Sequence, residues 1–282
     1  MHMKNTLIII ALSLIFLSCD KGIVLDLNDM ESKIVIEGLV TNREGRQYVK
    51  ITHTVDFYGN AEDLSATAVK DAIVTVKDDL DNTYVFVHNP NSDPDSIGYY
   101  IPEDPFTGEL GRTYTLNVQA NGQAYTAVDQ LFSVIPIDKL EYRVNEEEEK
   151  DPQEAGKIYE ALVFAKEPQE TKDYYLFKFY RNDSIMWDSE NDVYYSDDEF
   201  LAENIDGVPS PNFYGIGDKA KVEAYSLTRS GFVFYADLVK LINNDGGMFG
   251  SIPANCRTNL SNGALGFFQV SAVSDKEMVL TQ

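Results

Sequence analysis

KIVIEGLV at residues 33–40, followed by YVKITHT at residues 48–54, is the stretch from which the fold is read. Branched residues recur near period two in both segments, the spacing of a strand with one buried face. Residues 42–45, ending in Gly45, supply the turn between them. The same signature continues at residues 72–77 (AIVTVK), 84–88 (YVFVH), 99–101, 113–118 and 124–128. Turn residues separate these runs, and Asn121-Gly122 is a preferred hairpin pair because both residues accept positive φ. Short strands at this spacing, with no helical period among them, predict a mainly β protein. They place an immunoglobulin-like antiparallel sandwich at residues 32–130.

Ile135-Pro136-Ile137 reads as a crossover into a second, β-rich domain at residues 135–282. Its strands are expected at residues 159–164, 174–180, 221–227, 265–272 and 278–281. The like-charged run NEEEEKD at 145–151 reads as a solvated loop. Residues 188–199, acidic and tyrosine-rich, and 207–217, with prolines and glycines, read as a long exposed excursion. One long amphipathic helix is expected near 228–245. Phe232, Tyr235, Leu238, Val239 and Ile242 make one apolar stripe at helical period, with Ser226 or Thr228 as cap and Gly246-Gly247 as stop.

The amino terminus carries a different signal. Lys4 precedes an apolar run at 7–17, too short to span a bilayer, which needs roughly 20 residues. The run ends in Phe16-Leu17-Ser18-Cys19, the lipobox pattern of a lipoprotein signal. Residues 1–18 are then a cleaved signal peptide, Cys19 the lipidated residue, and 19–31 a tether that holds the body at a membrane. The formal charge is −23, and loss of Lys4 makes the body more negative still. Such a body repels phosphate, which excludes nucleic acid as a partner and anionic lipid as a docking surface. With Cys19 committed to lipid, Cys256 has no partner for a disulfide and reads as a buried structural thiol.

Candidate chemistry is sparse. Asn89, Asn91, Asp93 and Asp95 alternate as calcium ligands do, but the glycine and glutamate of such a loop are missing, so a turn is expected. Asp188, Glu190, Asp192, Asp197, Asp198 and Glu199 offer carboxylates without a fixed pair for a glycosidase. His53 and His88 each fall in a strand, and no nucleophile, zinc or phosphate-loop motif is present. No catalytic residue, metal or cofactor is expected. Tyr194, Tyr195, Phe213 and Tyr214 are the candidate partner-binding residues, because aromatics in loops supply large contact area at low entropy cost.

Residues 34–40, 48–52 and 72–76, with Gly111-Arg112-Thr113-Tyr114-Thr115-Leu116, Ser226-Leu227, Gly246-Gly247 and Ala264-Leu265-Gly266-Phe267-Phe268, occur in an order that resembles one lipoprotein group. That group is the domain-of-unknown-function outer-membrane lipoproteins of Bacteroidota. The resemblance implies a companion of SusC-like TonB-dependent transporters, displayed on the outer membrane toward the cell exterior and assisting nutrient capture or uptake. It carries no functional residue. A structural or adhesive surface module is the alternative, and a carbohydrate-active hydrolase a third reading.

Overall fold

Branched residues alternate along Ile34–Thr41 (β1) so that Ile34, Ile36 and Val40 point inward while Val35, Glu37 and Leu39 face out. The structure, a computed structural model, describes residues 32–55, 67–186, 193–243 and 254–282. The leader, the tether with Cys19, the acids at 188–192 and the Gly246-Gly247 pair lie outside these residues. Tyr48–His53 (β2), Ile73–Asp78 (β3), Thr83–His88 (β4), Tyr99–Pro102 (β5), Thr113–Ala120 (β6) and Gln123–Gln130 (β7) follow close to the positions their periodicity gives. They form part of a single eight-stranded sheet. Its order is β15-β1-β2-β5-β4-β3-β6-β7, where β15 is Leu265–Ser271. The pairing runs unbroken through this sheet, and the segment expected to belong to a second domain returns a strand to the first.

β15 pairs with β1 in parallel, from Val35 opposite Leu265 to Thr41 opposite Ser271. The backbones meet closely at Gly266, where φ is +97° and a Cβ would stand 2.1 Å from the carbonyl oxygen of Ile36. Only glycine fits there. Gly38 on β1 makes similar room, since its Cβ would lie 2.7 Å from the Phe268 ring.

The sheet curls until its two edge strands, β7 and β15, approach each other. Its inward residues, Ile36, Ile51, Val74, Phe86, Leu116 and Phe268 among them, share one core. Side chains rather than a strand ladder close the seam. Asn259 donates to the carbonyls of Val128 (3.2 Å) and Phe268 (2.8 Å) and accepts from the Phe268 amide at 3.0 Å. Ser261 exchanges backbone and side-chain hydrogen bonds with Thr126, each 2.8 Å. Asp129 Oδ2 accepts from the Val270 amide at 2.8 Å. Its Oδ1 accepts from the hydroxyl of Thr228 at 2.7 Å.

Beyond Ala272 the chain runs straight into Val273–Val279 (β16), which pairs antiparallel with Lys219–Leu227 (β14). β14 pairs in turn with Tyr174–Arg181 (β10), whose other edge carries Ser184–Ile185 (β11) and Tyr194–Asp197 (β12). A three-stranded sheet of Ile137–Val144 (β8), Tyr159–Lys166 (β9) and Asn204–Tyr214 (β13) covers one face of this five-stranded sheet. The layer between them packs Ile135, Val163, Tyr175, Phe179, Ile205 and Val222. The crossing between the two parts is locked by Ser226, which bonds Phe132, Ser271 and Ala272. Residues Ser32–Gln282 form one compact unit. Every described strand pairs with another within these residues, around cores they form themselves.

Two expectations are corrected here. The run at 145–151 is a short helix, Glu146–Lys150 (α1), because the Asn145 side chain accepts from the amides of Glu147 and Glu148 and starts it. From residue 193 on, the excursion forms β12, a 3-10 turn and β13, whose prolines are tolerated because β13 is an edge strand. Arg229–Ile242 (α2) starts at Thr228, whose hydroxyl accepts from the Gly231 amide. Phe232 of α2 packs on Tyr174 and Tyr195, which places the helix on the outer face of the five-stranded sheet. The apolar stripe does not hold to its end, for Ile242 is 36% exposed beyond the edge of the sheet.

Gly266→Ala should lower stability by roughly 3 kcal/mol or more in urea unfolding, because strain and a backbone clash coincide. Gly45→Ala, also at positive φ but in open space, should cost only about 1 kcal/mol. Asp129 provides a second measurement. Burial pushes its carboxyl up to about 7, against the pull of the Thr228 and Val270 hydrogen bonds. A folded-state pKa above the unfolded one means stability is fully present below about pH 4 and is lost as pH rises toward 7. Relative to Asp129→Asn, the parent should lose up to about 4 kcal/mol across that window, read from urea midpoints at stepped pH.

Candidate functional site

The four aromatics expected to bind a partner are not gathered in a loop. Tyr194 and Tyr195 lie on β12, half-buried, the first edge-on to Phe179 at 5.2 Å and the second against Phe232 at 5.3 Å. Phe213 is partly buried near the end of β13, and its carbonyl accepts from Arg181 at 3.1 Å. Tyr214 is fully buried, in the cluster of Ala161, Ala220 and Leu280. The acids Asp197, Asp198 and Glu199 surround Lys172, whose ammonium contacts all three. The Asn89 side chain is spent on the backbone of Asp93, and the Asp93 carboxylate accepts from the amide of Asp95 and the hydroxyl of Ser96. His88 accepts from the Gly98 amide at 3.1 Å.

A cleft lies elsewhere, between the outer face of β1, β2 and β15 and the outer face of the five-stranded sheet, beside α2. Period two in YYLFKFY sends Tyr175 and Phe179 to the core between sheets and turns Leu176, Lys178 and Tyr180 the other way. The same alternation in β14 turns Glu223 and Tyr225 outward. Outward residues Val35, Glu37 and Leu39 of β1 face them across the gap, with Tyr48 of β2 paired to Leu39. Helix α2 contributes Phe234, Tyr235, Leu238 and Leu241, two of them from the expected stripe and two beside it. Phe234 stacks on Phe267 at 5.0 Å, and the Tyr235 hydroxyl donates to Gln269 at 2.6 Å.

The cleft has two lobes that share Leu39, Tyr48 and Lys178. The apolar lobe, of about 490 Å³, runs under α2. The polar lobe, of about 480 Å³, opens past Arg46, Tyr180, Lys221 and Glu223. Both fall within the range of small-molecule sites. Cys256 lines the apolar lobe and is only partly buried, which corrects the expectation of a core thiol. The segment that carries it runs along the rim rather than through a core, and burial together with the nearby Asp237 pushes the thiol pKa up.

Two charges in the cleft have opposite fates. Glu223 is 2% exposed and accepts from Arg46 (2.8 Å), Lys221 (2.6 Å), Tyr180 (3.0 Å) and Tyr225 (2.7 Å). Burial alone would push its carboxyl up, but the bonds from Lys221, Tyr225 and Arg46 win and hold it down at about 2. Lys178 stands over the Tyr225 ring at 4.8 Å and makes no ion pair or hydrogen bond among the described residues. Burial pulls its pKa down, only partly opposed by Glu223 and Glu37. Glu37 accepts a short hydrogen bond from the Tyr48 hydroxyl. Sequence reading passed over Lys178, although a lone charge inside an aromatic strand was the available signal.

Fold and cleft together define a mainly β protein with an amphipathic hollow between two packed β layers. The chain belongs to the family described as Domain of unknown function (DUF4249), whose model matches residues 20–277. No curated protein matches it.

An ammonium without an acceptor costs folding energy that an apolar replacement recovers. Lys178→Met should therefore raise stability, by about 1 kcal/mol in urea, after the loss of one cation–π contact. Glu223→Gln should instead cost roughly 3 kcal/mol, since Arg46 and Lys221 lose their shared anion.

Proposed function

We propose that this chain is a lipid-anchored outer-membrane protein, displayed toward the cell exterior, that serves a SusC-like TonB-dependent transporter by holding a small ligand in the cleft. The observation that carries the reading is the two-lobed cleft itself, walled by strands and by α2, with Lys178 at the junction of its lobes and no ion pair to it among the described residues. Sites built on strands and helices hold their geometry better than sites on loops. The leader ending at Cys19 supports the anchor, and the family match begins at the next residue, Asp20. The charge of −23 keeps such a body off anionic lipid, so the lipid rather than the surface makes the attachment. A tether also raises the effective concentration of the body near a barrel in the same membrane, so modest contacts suffice for docking. Tyr195 and Phe213, both partly exposed, remain available to such contacts on the side of β12 and β13.

The test is native purification from solubilised envelopes. The wild type should bring down an outer-membrane barrel in stoichiometric yield, and Cys19→Ala should release the body to the soluble fraction. Protease added to intact cells should cleave the wild type. Recovery of no barrel would overturn the accessory reading in favour of an adhesive module. A Cys19→Ala protein that stays with membranes after a salt wash would overturn the anchor.

A further inference from the structure

The two lobes differ in what they can satisfy. The apolar lobe offers Val35, Leu238, Leu241 and Phe267, which favour a hydrocarbon body over water. At its junction with the polar lobe stands Lys178. The neighbouring cations are not comparable, because Arg46 and Lys221 are both committed to Glu223. Of the acceptors, Glu223 takes four donors, and Glu37 takes the Tyr48 hydroxyl on one of its oxygens. Among the described residues, Lys178 is the cation of the cleft that has no hydrogen bond or ion pair to the protein.

Resting on the binding-protein reading above, we infer that the cleft takes an amphipathic monocarboxylate, its apolar body under α2 and its carboxylate on Lys178. The chemistry selects among ligand classes. A neutral head would leave the ammonium with weak partners, whereas a carboxylate forms a charge-assisted hydrogen bond in a partly dehydrated place. A dianionic phosphate would need a second uncommitted cation, and the lining holds none beside Lys178. A cationic amphiphile would have to share Glu37 with Tyr48 and place its charge beside Lys178. The aromatic rings of Tyr48, Tyr235 and Phe234 add contact area along the body of the ligand without adding charge.

Residues 32–282 in solution, titrated with decanoate, decan-1-ol and decylammonium, provide the test. Cys256 is the only cysteine in that body and lines the apolar lobe, so its alkylation rate reports occupancy at this place. Decanoate should bind saturably and slow alkylation of Cys256, while decylammonium does neither. Lys178→Met should weaken decanoate about ten- to a hundredfold and leave decan-1-ol within about twofold. Lys178→Arg should keep decanoate within a few-fold. Leu241→Glu, at a rim position 38% exposed, should weaken decanoate without changing the fold, because it sets a charge against the hydrocarbon body in the apolar lobe. Unchanged decanoate affinity in Lys178→Met would overturn the inference, as would an unprotected Cys256 or tighter binding of decylammonium. These results are separable from the transporter test. Loss of decanoate binding with the barrel still co-purifying condemns the ligand class alone, and a lost barrel with decanoate still bound condemns the docking alone.

Discussion

The parallel contact between β1 and β15 is the constraint on which the rest of the molecule depends. It joins segments some 230 residues apart and brings the backbones close enough at Gly266 that no side chain fits. From that pairing the second layer inherits its position, because β15 passes through Ala272 directly into β16. The floor of the cleft inherits it too, since Phe267 and Gln269 of β15 stand opposite Glu37 and Leu39 of β1. A parallel ladder between distant segments pays its loop-closure entropy before it gains any contact. The seam on the other side of β15, where Asn259 and Asp129 substitute for a strand partner, satisfies the edge that this late-arriving strand would otherwise leave open.

Polar groups in the interior are used in two distinct ways. Around Ser226, Asp129 and Glu223 each buried acceptor is matched by donors from separate elements, so these residues fix the angle between layers as well as stabilising them. Asp129 does this while linking β7, β15 and the cap of α2, and burial makes its charge conditional on pH. Lys178, partly buried beside the Tyr225 ring, is used differently. It sits on the same sheet, close to Glu223, yet gives its protons to no oxygen among the described residues. A folded protein carries a cost of that kind where a site needs it.

What was legible in the sequence was what local period decides. Strands β1 to β7 lie where alternation of branched residues puts them, and Thr228 begins α2 where a capping hydroxyl precedes an apolar stripe. What was not legible depends on partners far along the chain. Nothing in LGFFQVS says that it pairs with IVIEGLV, and the same alternation serves a parallel or an antiparallel neighbour. The segments around Tyr194 and Phe213 read as loops because they are acidic and proline-bearing. In the structure Lys172 gathers Asp197, Asp198 and Glu199, and the prolines sit on an edge strand that gives up few ladder bonds to accommodate them. Lys178 could have been found by asking which strand face carries a charge among aromatics, a question that periodicity answers only once both faces are known to be covered.

The acidity of the body bears on how such a cleft would be filled. At physiological ionic strength the charge of −23 is screened beyond about 8 Å, so it repels an approaching anion only in the last stretch before contact. Inside the cleft the balance reverses, because Lys178 is partly shielded from water and the Glu223 charge is already neutralised by Arg46 and Lys221. Repulsion at the final approach therefore works against an anionic guest while binding inside the cleft works for it. An arrangement of this kind selects for the apolar body first, since only a ligand held under α2 by its hydrocarbon remains long enough for its head to reach the amine. The hydrocarbon supplies residence and the single cation supplies discrimination, which is the division of labour that the two lobes of the cleft impose.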